Sequence, residues 1–251
     1  MVISVSDPAL PSLAWRRLGE YLHETQLLGS IKSTLYWDQN TTMPNESASW
    51  RAEQLSLLAR QLHARQSSKH FESLVAEAKF EFLQDLHFGD LDQQEIGDRA
   101  RNIELLEQDL KRQKSLDPDL VSLIANAKAN GYNLWQQAKS KSDFSFFAPA
   151  LRELIGLRQE QARQLSEPRS CWETLAQPFE PDLTIERLKE LLTPLRHSLP
   201  ELLDNVRTWK RPVEPFWDLA AKSQKRLCDQ LLREWGRDSN ITCLAMSPHP
   251  F

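Results

Sequence analysis

Apolar residues return at three- and four-residue steps through almost the whole chain, and only seven glycines in 251 residues interrupt them. That spacing puts successive side chains on one face of an α-helix. Glycine destabilises a helix interior by about 1 kcal/mol, so its scarcity agrees with long helices. No strand-like alternation bounded by turn glycines competes with this pattern. The chain is expected to be all-α: an elongated multi-helix array, forming a single helical domain over residues 1–251.

The stripes can be followed in order. Residues 12–37 carry Leu13, Leu18, Tyr21, Leu22, Leu28, Ile31 and Leu35 on a helical period. The polar run Asp38-Gln39-Asn40-Thr41-Thr42 is expected to end that helix, because such side chains bond their own backbone. Pro44 suits the first turn of the next helix, where its missing N–H costs nothing. Ala48, Ala52, Leu55, Leu58, Ala59 and Leu62 then form one apolar face. Further helices are expected over residues 71–88 and 91–114, and from Asp117-Pro118 onward. Another follows Ser142-Asp143. Thr184 is a good N-cap for residues 185–209. Pro194 and Pro200 lie inside that stretch and predict a kink or break. A last helix is expected over residues 217–235, closed by Gly236. The prolines at 168, 178 and 181 mark a loop rather than a linker.

Composition excludes several function classes. The 31 basic and 35 acidic residues give a net charge of -4 and are interspersed, which offers no nucleic acid a basic face. No apolar run reaches the length needed to span a membrane. The first residues lack the basic and apolar regions of a secretory signal. Three widely spaced cysteines suit a reducing compartment, with buried or idle thiols, so the protein is expected in the cytoplasm. The eight tryptophans, spread over helical positions, are expected in helix packing and the core.

The catalytic motifs fail one by one. His23-Glu24-Thr25-Gln26-Leu27 is half of an H-E-x-x-H zinc helix, with leucine where the second ligand belongs. His63 and His70 are seven apart; on a straight helix that is about 10 Å, too far to share one ion, and only a turn between them could bring them together; solvent exposure is expected for both. The stretch from His87 to Asp92 lacks the spaced oxygens of a calcium loop. No nucleophile elbow, phosphate loop or dinucleotide fingerprint occurs.

Residues 35–63, LYWDQNTTMPNESASWRAEQLSLLARQLH, resemble the carboxypeptidase Taq family of metallocarboxypeptidases. Trp37, Asp38, Thr41, Met43, Pro44, Arg51, Ala52, Gln54 and Leu58 fit its signature. Trp135, Ala138, Ser142-Asp143-Phe144, Phe147, Pro149, Leu151, Glu160 and Ala162 match a second block. Gln224 and Gly236-Arg237-Asp238 lead to a third, the H-P-F motif at His249-Pro250-Phe251. The resemblance implies a helical fold with a deep groove, usually a homodimer, and zinc- or cobalt-dependent release of residues from peptide C-termini. It puts His249, Pro250 and Phe251 in the substrate groove. Trp37, Asp38, Met43, Pro44 and Arg51 are expected to be structural: Trp37 in the core, Asp38 accepting bonds from the turn backbone, Pro44 setting the start of the next helix. The family's H-E-x-x-H helix lies beyond H-P-F, so no catalytic residue, metal ligand or cofactor is assigned to this chain. Alone it is expected to be inactive, a truncated form that meets a peptide substrate only when a C-terminal half completes it. The alternative expectation is a helical scaffold or interaction module that pairs with itself or with such a half.

Overall fold

A computed structural model describes residues 13–88, 92–165, 168–209, 219–238 and 240–247. Every regular element among them is helical. In order they are α1 (Leu13–Thr41), a 3-10 turn (Asn45–Ser47), α2 (Ala48–Gln66), α3 (Lys69–Phe88), α4 (Gln93–Lys114), α5 (Pro118–Lys141), a second 3-10 turn (Phe144–Phe146), α6 (Ala148–Leu165), α7 (Cys171–Ala176), α8 (Ile185–Arg207) and α9 (Ala221–Glu234). No helix among the described residues is long and apolar enough to cross a membrane.

The helix starts follow local chemistry. Asp92 accepts from the Glu95 N–H at 2.7 Å, Asp117 from the Asp119 N–H at 2.7 Å, and Thr184 from the Arg187 N–H at 3.1 Å. Each bond satisfies a donor that a helix N-terminus leaves open. Gly236, at φ +78°, takes the left-handed turn that closes α9, and Arg237 N–H reaches back to the Leu232 carbonyl at 2.9 Å.

The chain divides into two compact units, Met1–Leu175 and Ala176–Phe251. The division falls within the proline-rich stretch. In the first unit, Leu18 of α1 is buried among Phe71, Leu74, Val75 and Ala78 of α3 and Leu110 of α4, with Trp15, Tyr21, Leu22 and Leu106 packed around them. A second cluster joins Ala52 and Leu55 of α2 to Ala129 of α5, against Leu35 of α1. Small residues at 52 and 129 let α2 and α5 approach closely, and that pair packs most extensively in the fold. In the second unit no described residue is buried. Along α8, Leu191, Leu192, Leu195, Leu199, Leu202, Leu203 and Val206 are 43–54% exposed.

Several expectations change. The polar run ends α1 only at its fourth residue, Thr41. Its side chains bond backward along the helix instead: Asn40 Nδ2 donates to the Tyr36 carbonyl at 2.7 Å and Thr41 Oγ1 to the Trp37 carbonyl at 2.8 Å. Pro44 sits before the 3-10 turn with ψ 143°, outside the first turn of α2. Its φ of -61° is helical, but its extended ψ makes the corner. Helix α8 runs unbroken through Pro194 and Pro200. None of the seven described tryptophans is buried; Trp15, Trp37 and Trp135 are partly covered, and Trp50, Trp172, Trp209 and Trp235 are exposed. Large rings rarely bury every edge. His63 is 2% exposed, its Nδ1 3.0 Å from Gln113 Oε1 on α4, whereas His70 is exposed. The three cysteines are free and exposed rather than buried.

Candidate functional site

The signature residues converge on the corner between α1 and α2. Arg51, one turn into α2, reaches back across it. Its Nη1 donates to the Leu35 carbonyl at 2.5 Å, its Nη2 to Asp38 Oδ2 at 2.6 Å, and its Nε to Gln54 Oε1 at 2.9 Å. The guanidinium thus uses three edges for three acceptors, geometry that only arginine supplies. Its side chain is 11% exposed and that of Asp38 is 33% exposed. Asp38 Oδ1 also accepts from the Thr42 hydroxyl, and the Asp38 carbonyl accepts from the N–H groups of Thr42 and Met43. The Asp38 carboxylate therefore bonds side chains; its own carbonyl, not the carboxylate, gathers the turn backbone. Trp37 is half-buried beside this corner rather than enclosed in the core, Met43 is half-buried, and Pro44 is exposed.

The Thr42 hydroxyl and then the Arg51 guanidinium hold the Asp38 carboxyl below the usual carboxylate range. A carboxyl depressed by folding stabilises the native state above its unfolded pKa and stops doing so as pH falls through its folded value. With an unfolded value of about 3.9, Asp38 contributes fully at neutral pH and progressively less below about pH 4. Acid denaturation of the Asp38→Asn variant should be less steep over that window. Parallel acid curves for the variant and the parent would contradict the assignment.

Sequence reasoning missed the residues beside this clamp. Gln39 and Asn40 are 5% and 1% exposed. Gln39 Nε2 donates to the Ala129 carbonyl at 3.3 Å, which ties α1 to α5. Their amide oxygens, Gln39 Oε1 and Asn40 Oδ1, are buried and accept nothing from the described residues. The signal was the unbroken helical phase: Gln39 falls four residues after Leu35, which packs against the cluster holding Ala129 of α5.

The second block also builds a corner. Ser142, at φ +50°, ends α5, and the Asp143 N–H returns to the Ala138 carbonyl at 2.9 Å. Asp143 Oδ1 then accepts from the Ser145 N–H at 2.9 Å and opens the 3-10 turn. Phe147 stacks edge-on against Phe144, and Lys139 lies over the Trp135 ring, 5.1 Å from its centre. Ala138 and Ala162 are buried. At the third block, Asp238 caps its own turn through the Asn240 N–H at 2.8 Å. His249, Pro250 and Phe251 lie outside the described residues, as do residues 89–91 and 217–218.

Among the described residues no three of His, Cys, Asp and Glu converge where one cation could be held. His23 is exposed and four residues from Leu27; His63 is engaged with Gln113. These residues do not fit the zinc or cobalt that the signature implies, and no metal-dependent step is assigned to them.

Comparison with known proteins agrees with this geometry. The carboxypeptidase Taq (M32) metallopeptidase family matches residues 17–251. Thermostable carboxypeptidase 1 of Thermus thermophilus is 27% identical over 96% of this chain and 48% of its own length. Carboxypeptidase 1 of Bacillus subtilis is 26% identical over 86% of this chain and 42% of its own. The chain therefore spans about half the length of the curated relatives it matches. A crystal structure named BsuCP superposes on 96% of this chain and 47% of its own with a TM-score of 0.81 at 22% identity. The M32 carboxypeptidase of Deinococcus radiodurans R1 does so on 96% of this chain and 46% of its own, at 0.74 and 25% identity. On the match over residues 17–251, the chain belongs to the carboxypeptidase Taq (M32) metallopeptidase family.

Proposed function

We propose that this chain supplies part of the helical framework of a metal-dependent carboxypeptidase that releases single residues from peptide C-termini. The observation that carries the reading is the family match over residues 17–251. The fold shared with M32 carboxypeptidases over 96% of this chain supports it. In this reading the metal and the groups that activate water come from the part of the fold that the relatives carry outside the matched stretch. A bound divalent metal would polarise the scissile carbonyl and acidify its water. The described residues would supply rigid corners: the Arg51–Asp38 clamp and the Ser142–Asp143 turn hold helices in register, and a groove needs walls that do not move. The three free, exposed cysteines fit a reducing compartment such as the cytoplasm.

A second reading, an interaction module, is favoured by the exposed apolar stripe of α8. The two readings separate in one assay. The purified chain is given zinc or cobalt and an N-blocked dipeptide, alone and with the remaining part of the family fold supplied as a second polypeptide. Release of the terminal residue only from the assembled pair is expected. A stable, metal-loaded pair that releases nothing would reject the carboxypeptidase reading and leave the module.

A further inference from the structure

Gln39 and Asn40 put a buried polar seam between α1 and α5, and their hydrogen bonds fix which way round each amide lies. Gln39 Nε2 donates to the Ala129 carbonyl at 3.3 Å, and Asn40 Nδ2 to the Tyr36 carbonyl at 2.7 Å. Turning either amide over would set its oxygen against a carbonyl oxygen. Gln39 Oε1 and Asn40 Oδ1 are therefore the ends left over, sealed from solvent and without a donor among the described residues. Donors crowd the opposite side of the seam. Asn133 Nδ2 also reaches the Ala129 carbonyl, at 3.2 Å, and both side-chain bonds to that oxygen are long. One carbonyl thus draws two side-chain amides while two amide oxygens draw none. Buried acceptors in that position are rare, because each gives up its hydration without return.

We infer that this seam is a binding site for internal water, which donates to Gln39 Oε1 and Asn40 Oδ1 and belongs to the fold as a structural ligand. The chain's own packing encloses both oxygens, since Gln39 is 5% and Asn40 1% exposed. Polypeptide laid against the chain from outside does not reach them. A cation suits the seam poorly. Hard cations take about six oxygens, carboxylates among them, whereas the free oxygens here are two and neutral. Asp38, the adjoining carboxylate, is already engaged by Arg51 and Thr42. The surroundings are also positive: Lys128, next to Ala129, is held below the usual lysine range by desolvation and then by the charges of Arg158 and Lys32. Water fits instead, because it offers two donors and can accept in turn, and internal water typically makes about three hydrogen bonds to polar groups that nothing else satisfies. The position matters for the fold. Gln39 follows Asp38 of the clamp, and Ala129 lies on the helix that ends at the Ser142–Asp143 turn. A satisfied polar network fixes one arrangement where apolar contacts tolerate several. Water in the seam therefore sets the register of α1 on α5, and with it the relation between the two signature corners.

Crystals of the full 251-residue chain that diffract well enough to show ordered solvent provide the direct test. A solvent peak is expected within about 2.7–3.2 Å of each amide oxygen. Oxygens left bare, a protein donor in that place, or a peak ringed by about six oxygens as a cation would be, each overturns the inference. In solution, magnetic relaxation dispersion of isotope-labelled water counts the molecules held far longer than surface water. The parent is compared with Asn40→Leu and Gln39→Leu, apolar replacements of similar size, and with Ser33→Ala on the exposed side of α1. Ser33→Ala should match the parent. Each leucine variant that keeps the parent's far-ultraviolet circular dichroism should lose the signal of about one long-lived water or more. An undiminished signal in a folded leucine variant overturns the inference as well. Should neither variant fold, the solvent peaks in the parent crystal decide alone.

Discussion

Replacing Leu18 with alanine should destabilise the first unit by about 3–5 kcal/mol, a large share of what holds a domain of this size folded. Leu18 is 1% exposed and stands where α1, α3 and α4 meet, against Phe71, Leu74, Val75, Ala78 and Leu110. Those neighbours belong to two helices other than Leu18's own, so none can collapse into the space without dragging a helix. The transfer term and the cavity term therefore both apply. At roughly 2–4 °C per kcal/mol for a domain of this length, the melting transition followed by circular dichroism should fall by about 10 °C or more. Leu18→Met conserves volume and should cost under about 1.5 kcal/mol. An alanine variant that melts within a degree or two of the parent would show that α1 does not close this core.

The all-α class and most helix positions were legible because their signals are local. Asp117-Pro118 and Thr184 announce helix starts through bonds spanning two or three residues, and Gly236 announces an end through its own φ. The errors share another cause: each residue's environment was set by partners distant in sequence. The run from Asp38 to Thr42 carries turn chemistry, yet its first four residues stay helical. Gln39 finds the Ala129 carbonyl 90 positions away, and Arg51 holds Asp38 from the next helix. His63 looks solvent-bound until Gln113 of α4 stands beside it. Pro194 and Pro200 predict a break when read by residue type alone, but both face away from the leucines. The candidate site was legible as a set of residue types and opaque as geometry. The resemblance singled out Asp38 and Arg51 together, but the twelve intervening residues gave no sign that they form one ion pair.

That ion pair leads to the second large effect. Arg51→Ala should cost about 2–3 kcal/mol, from charge-assisted hydrogen bonds worth about 1.5–3 kcal/mol each. The loss stays below the 3–5 kcal/mol of a fully buried pair, because Asp38 is a third exposed and water can replace part of what it loses. The Leu35 carbonyl and Gln54 Oε1 lose a donor at the same moment. Arg51→Lys keeps the charge but not the planar fork, so one of the three acceptors can be served at a time and most of the loss should remain. A double-mutant cycle with Asp38→Asn isolates the pair from the other two bonds. If Asp38 draws its depressed pKa partly from Arg51, the Arg51→Ala chain should also lose part of the stability change below about pH 4, matching the Asp38→Asn chain more closely than the parent does. A lysine variant as stable as the parent would mean that any cation suffices at this corner, and the argument from arginine's three edges would fall with it.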